Sequence, residues 1–209
     1  SAHADSIVST TSTFTGTVIT FNEYDELVTA GPLDVGPALG NDVWFTSSPF
    51  TIVGANAQDL GDNGLWGARD LGPTPTGDGN FLASQFVTPI GSLNFFFGDP
   101  VAQVGAYMNQ FQDIGTPAGM ITLIAYGQSG STIETFSFAS DTPFDSYNEG
   151  MFLGFSRPTA DIYGFGVANG SFVLDDLTYS MQPVPEPAAL AMLLGGLGLI
   201  AARRRRRSA

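Results

Sequence analysis

Short runs of β-branched and aromatic residues, each broken after a few positions by glycine, proline or polar pairs, recur along most of the chain. Thr17–Phe21, Val43–Phe45, Phe50–Val53, Phe81–Val87, Leu93–Phe97 and Val101–Tyr107 read as strands on this pattern. So do Met120–Tyr126, Thr132–Phe138, Met151–Phe155, Asp161–Val167 and Ser171–Tyr179. Val43–Phe45 and Phe50–Val53 look like a strand pair around Ser47-Ser48-Pro49, and Gln128-Ser129-Gly130-Ser131 like a hairpin turn. Ser6–Gly16, rich in serine and threonine, reads as a frayed lead-in. Asn22–Gly40 reads as loop, with Gly31-Pro32 and Gly36-Pro37 as breakers. Gln58–Asn80 has no clear period, and loops of that length tend to be functional or disordered. No stretch before the C-terminal segment carries an amphipathic helical period. The expected fold is all-β: an antiparallel two-sheet sandwich, jelly-roll-like, with phenylalanine filling the space between the sheets. In Ile162–Val167 alternation puts Tyr163, Phe165 and Val167 on one face and glycines on the other, where something can approach closely.

Composition agrees with this reading and removes several chemistries. Seventeen Phe, 26 Gly and 13 Pro in 209 residues fit a real core joined by many turns. The absence of cysteine excludes disulfides and thiol catalysis. His3 is the only histidine, so neither a Ser-His-Asp triad nor a zinc site of the usual ligands can be assembled in the body. No glycine-rich phosphate cradle lies between a strand and a helix. Two carboxylates can make a glycosidase, but 20 acids give no basis for choosing a pair. The expectation is a protein that is not an enzyme.

Charge is placed unevenly. Before Pro185 there are two arginines, Arg69 and Arg157, against nineteen carboxylates, a net charge near −17. Such a surface repels nucleic-acid phosphates and suits metal cations, neutral sugars or salty surroundings. The other five basic residues are Arg203, Arg204, Arg205, Arg206 and Arg207. They follow Ala188–Ala202, fifteen uncharged residues that as a helix would reach about 22 Å, short of a hydrocarbon core of about 30 Å. An arginine flank stays cytoplasmic, so the body would lie on the far side of a membrane. Pro185 and Pro187 hold Glu186 in extended backbone just ahead of the apolar run. At the other end, Ala2-His3-Ala4 before Asp5 has the small-x-small form left by signal-peptide cleavage.

Val184-Pro185-Glu186-Pro187, the apolar run and the arginine cluster closely resemble the PEP-CTERM sorting signal of Gram-negative bacteria. The resemblance implies recognition by exosortase, a membrane protease, with cleavage near the Pro-Glu-Pro and delivery of the body to the cell surface among exopolysaccharide and biofilm matrix. Phe152-Leu153-Gly154-Phe155-Ser156, Ala160-Asp161-Ile162 and Phe172–Tyr179 resemble the closing pattern of secreted β-sandwiches that carry this signal. The expected division is a signal-peptide remnant at 1–4, a β-sandwich at 5–181 and a sorting signal with a short hydrophobic helix at 182–209. The expected function is that of a secreted, non-enzymatic envelope or biofilm-matrix protein, transiently anchored in the inner membrane. A calcium-dependent carbohydrate-binding module and a self-assembling extracellular subunit stand as alternatives.

Three constellations in the body are candidates for binding. Glu23 and Asp25 follow the first predicted strand, and Asp175-Asp176 sit in the last; if those strands are neighbours, the four carboxylates can meet around calcium. Of two adjacent strand residues one must point inward unless a bulge intervenes, and the sequence leaves open which. Asp59-Leu60-Gly61-Asp62-Asn63-Gly64 with Asp70 loosely echoes an EF-hand loop, with glycine where a ligand belongs; a flexible acidic turn is the competing reading. Trp44 and Trp66 are the candidates for an exposed aromatic platform for sugars.

Overall fold

The computed structural model describes residues 5–36, 42–67, 79–84 and 91–182. Sixteen strands run through them: β1 (Asp5–Ser9), β2 (Thr17–Ile19), β3 (Leu27–Thr29), β4 (Leu33–Asp34), β5 (Val43–Ser48), β6 (Thr51–Ala55), β7 (Gln58–Asp59), β8 (Leu65–Trp66), β9 (Phe81–Ser84), β10 (Gly91–Val101), β11 (Gln103–Gln110), β12 (Ile121–Tyr126), β13 (Thr132–Phe138), β14 (Met151–Ser156), β15 (Ile162–Gly170) and β16 (Phe172–Ser180). An eight-stranded sheet has the order β1-β14-β11-β16-β9-β6-β3, with β2 also on β16; a six-stranded sheet has the order β13-β12-β15-β10-β5-β4; β7 and β8 form a small pair. Every strand ladder is antiparallel, and no helix occurs among the described residues.

Inward side chains of both large sheets meet in one core. Phe45, Leu93, Phe95, Leu123, Phe165 and Val167 from the six-stranded sheet face Leu82, Val104, Met108, Leu153, Phe155 and Leu174 from the eight-stranded one. Each fully buried large side chain contributes about 1.5–3 kcal/mol, so this phenylalanine-rich layer is the main stabilising feature. The chain reaches it from both sides by turning corners. β10 leaves the six-stranded sheet and continues as β11 of the other across Ala102 alone, and β15 continues as β16 across Ser171 alone. The hairpin expected at Gln128–Ser131 joins β12 and β13 within one sheet, closed by Gly127 N–H on Ser131 O at 2.8 Å.

The structure corrects several sequence expectations. β5 and β6 do not pair with each other; the corner at Pro49-Phe50 sends them to different sheets. Ser6–Gly16 is not a frayed lead-in. β1 pairs over its whole length with β14, from Asp5↔Ser156 to Ser9↔Phe152, and Phe14 then packs edge-on against Phe152 at 5.8 Å. Asn22–Gly40 contains β3 and β4, too short to show a period. The first part of the long 58–80 loop is a structured cover over the outer face of the eight-stranded sheet: Leu60 and Trp66 pack there on Ala55, Phe81, Ala83 and Val173. The signal remnant at 1–4, the sorting segment with its expected helix at 183–209, and Arg69, Asp70 and Asp78 lie outside the described residues.

Arg157 is buried at the β14–β15 connection. Its guanidinium forks onto Asp161, with Nε on Oδ1 and Nη2 on Oδ2, the latter at 2.8 Å. The Asp161 hydrogen bond holds the guanidinium above its ordinary pKa, against the opposing effect of burial. Arg157→Lys is expected to lower stability by about 1 kcal/mol, because the fork is lost while the charge is kept and the half-exposed Asp161 can be rehydrated. Chemical denaturation of the two proteins checks this; equal midpoints would contradict it.

Candidate functional site

The outer face of the six-stranded sheet carries an aromatic strip. Trp44 on β5 lies opposite Phe96 on β10, Phe96 opposite Gly164 on β15, and Gly164 opposite Tyr126 on β12. In the run Phe95-Phe96-Phe97 alternation must turn one ring outward. That ring is Phe96, 39% exposed beside Trp44 at 44%, while Phe95 and Phe97 are buried. The glycines flagged on β15 explain how the rings lie. A Cβ at Gly164 would stand 3.0 Å from Phe96 Cδ1, and one at Gly166 would stand 2.9 Å from Tyr126 Cε2. With hydrogens in those places the Phe96 and Tyr126 rings settle over β15, centroids 6.2 Å apart and planes 31° apart. Tyr126 Oη donates to Asn94 Oδ1 at 3.0 Å, and burial raises the phenol pKa, keeping it a neutral hydroxyl.

The rows beyond the strip are uncharged and mostly polar. Thr46, Asn94, Gly166 and Ile124 form the next row, and Ser48, Ser92, Ala168 and Thr122 the one after it. Carboxylates stand near the Trp44 end: Asp34 on β4 lies opposite Trp44, Asp42 precedes it by two residues, and Asp99 is exposed on β10 three residues past Phe96. Trp66 is not part of this platform. It is 1% exposed, locked edge-on against Phe81 beneath the β7–β8 cover. Sequence reasoning missed Phe96 and Tyr126, although the alternating glycines at 164 and 166 marked the place.

The four carboxylates expected around calcium are not gathered. β2 does pair with β16, Leu177 opposite Ile19, so the first predicted strand and the last are neighbours. A bulge in β16 opposite Ala106 separates the two aspartates: Asp176 takes a left-handed φ of 50° and is half-buried, whereas Asp175 is buried and accepts the Asp176 N–H at 2.8 Å. Glu23 and Asp25 are exposed on the turn after β2. No group of three or more Asp, Glu or His side chains suited to a metal occurs among the described residues.

The EF-hand-like stretch is used structurally. Asp59 Oδ1 accepts Gly61 N–H at 2.8 Å, and Asp62 Oδ2 accepts Gly115 N–H at 2.8 Å, so the two carboxylates serve different backbone donors. Asn63 points into the protein. Its Nδ2 donates to the carbonyls of Gln110 and Ser140 at 2.8 and 2.9 Å, and its Oδ1 accepts Thr142 N–H at 2.9 Å. Two open clefts of about 460 Å³ lie elsewhere, one beside Tyr179–Gln182 and one between Phe138–Thr142 and Glu149–Met151.

Fold and site together define an all-β, antiparallel two-sheet protein whose described strands end at Ser180, ahead of a segment of different composition. That segment is identified: residues 183–207 match the PEP-CTERM protein-sorting motif. The motif is a recognition signal for exosortase, and it implies export of the chain and membrane-associated sorting to the cell surface. No curated protein and no solved structure matches the chain.

Proposed function

We propose that the chain is a non-enzymatic, secreted component of the cell envelope or biofilm matrix of a Gram-negative bacterium, delivered by its terminal signal and released from it. The motif at 183–207 carries the reading. The physical logic is a division of labour. An apolar run too short to span a bilayer comfortably, fixed by five arginines on the cytoplasmic side, holds a strongly acidic body on the far side until it is cut near Pro185–Pro187. The lack of cysteine and of any histidine beyond His3 supports a binding or structural role for the body. The short corners that carry the chain between the sheets favour a jelly-roll-like winding. Calcium is left out of the proposal, because the candidate carboxylates are spread between a buried strand position, a bulge and an exposed turn.

Mass spectrometry of the intact surface or extracellular product is the test. The expected product lacks Arg203–Arg207 and ends near the Pro-Glu-Pro, and a host without exosortase retains the uncut chain in its membrane fraction. A surface product that still carries the arginines would overturn the processing step.

A further inference from the structure

We propose that the outer face of the six-stranded sheet binds a neutral polysaccharide, with Trp44, Phe96 and Tyr126 as its stacking floor. The proposal stands on the body alone and does not depend on how the chain is exported.

The strip is built rather than incidental. Glycine inside a strand costs about 0.5–1 kcal/mol, and β15 carries it at two successive outward positions where a β-branched residue would normally sit. What the two glycines permit is the flat seating of Phe96 and Tyr126, since either Cβ would strike a ring. Exposed aromatics held this way offer broad apolar faces to the C–H faces of sugar rings. At about 4.8 Å per strand the row from Trp44 to Tyr126 covers about 14 Å of open surface. An open strip suits one side of a polymer; a small molecule needs enclosure.

Charge selects the class of polymer. The outward positions of β5, β10, β15 and β12 in the three rows are all uncharged, on a body near −17, so a polyanion is repelled and a neutral chain is not. Asn94 and the serine and threonine hydroxyls can exchange hydrogen bonds with sugar hydroxyls, and Asp34 and Asp42 add acceptor-only groups at the rim. A second copy of the chain fits less well. Trp44 and Phe96 are the large exposed hydrophobics of these rows, and serine and alanine, depleted in stable protein interfaces, recur around them.

Affinity electrophoresis of the full chain in a mild detergent tests the proposal, with a soluble β-glucan, a galactomannan and dextran as neutral probes and alginate as the anionic one. At least one neutral polymer is expected to retard the chain. Trp44→Ala and Phe96→Ala are each expected to weaken that binding tenfold or more while melting near the parent temperature. Tyr126→Phe, which keeps the ring and loses the Asn94 bond, should weaken it less, and Val18→Ala on the other sheet should leave it unchanged. Retardation by none of the neutral polymers, by alginate alone, or equally in the alanine variants overturns the proposal. So does a concentration-dependent dimer abolished by Trp44→Ala, which would assign the face to a second copy.

Discussion

Asn63→Ala is expected to lower the stability of the body by about 4 kcal/mol, a fall of roughly 8–15 °C in melting temperature for a domain of this size. The side chain is 1% exposed and serves three backbone groups from two separate segments: the carbonyl of Gln110 at the end of β11, and the carbonyl of Ser140 and the N–H of Thr142 in the loop after β13. Alanine leaves all three short of a partner in a place closed to water, at about 1–3 kcal/mol for each buried group. Asn63→Asp is the sharper test, because shape is kept while the donating amide becomes an acceptor facing two carbonyls. The new carboxyl ionises in the unfolded chain near pH 3.9 and resists ionising in the fold, so its folded pKa is raised. The added penalty is therefore absent below about pH 4 and grows as pH rises toward the folded pKa. Melting curves at pH 4 and pH 8 read it directly. A variant no less stable at pH 8 than at pH 4, relative to the parent at each pH, would mean that Asn63 is not the buried link between these segments.

The same residue shows where sequence reading stops. Asp59–Gly64 looks like a ligand loop because acids, amides and glycines are what both a calcium loop and a tight connection use. What separates the two is the direction of each side chain, and that is fixed by chain segments about fifty to eighty residues away: Gln110, Gly115, Ser140 and Thr142. Apart from β1, strands of five or more residues were legible where their pattern is local, as in the alternation of β12 or the phenylalanines of β10. β3, β4, β7 and β8 are two or three residues long and exist by pairing alone, so no period could announce them. β1 was hidden for another reason: Ser6 and Ser9 flank Ile7 and Val8, and only the edge of β14 turns that polar stretch into a strand. The bulge that divides Asp175 from Asp176 depends on the register of β11 against β16, which is also non-local. Yet the terminal signal needs no tertiary context at all. Its meaning lies in the linear order of proline, glutamate, apolar run and arginine, which the sequence displays directly.

The two tryptophans are expected to behave oppositely, and the contrast probes which way each sheet faces. Trp66 is 1% exposed, with Phe81 edge-on at 6.5 Å and a ring edge so close to Gly150 that a Cβ there would fall 2.7 Å away. Removing it in Trp66→Ala opens a cavity between the eight-stranded sheet and its cover, at about 3–5 kcal/mol and roughly 10 °C of melting temperature. Its indole Nε1 is buried without a hydrogen-bond partner among the described residues, so Trp66→Phe, which removes that donor, should cost only about 1–2 kcal/mol. Trp44 is 44% exposed on an outer face, and Trp44→Ala should change stability by no more than about 0.5–1 kcal/mol. Fluorescence separates them independently of stability. Acrylamide should quench the component that Trp44→Phe removes and spare the emission that remains, which belongs to Trp66. A saccharide lying on the strip should shield Trp44 alone, so ligand protection from quenching must vanish in Trp44→Phe. If the two alanine variants lose equal stability, or the quenchable component survives Trp44→Phe, then Trp44 is not on an open face and the strip has no surface to offer.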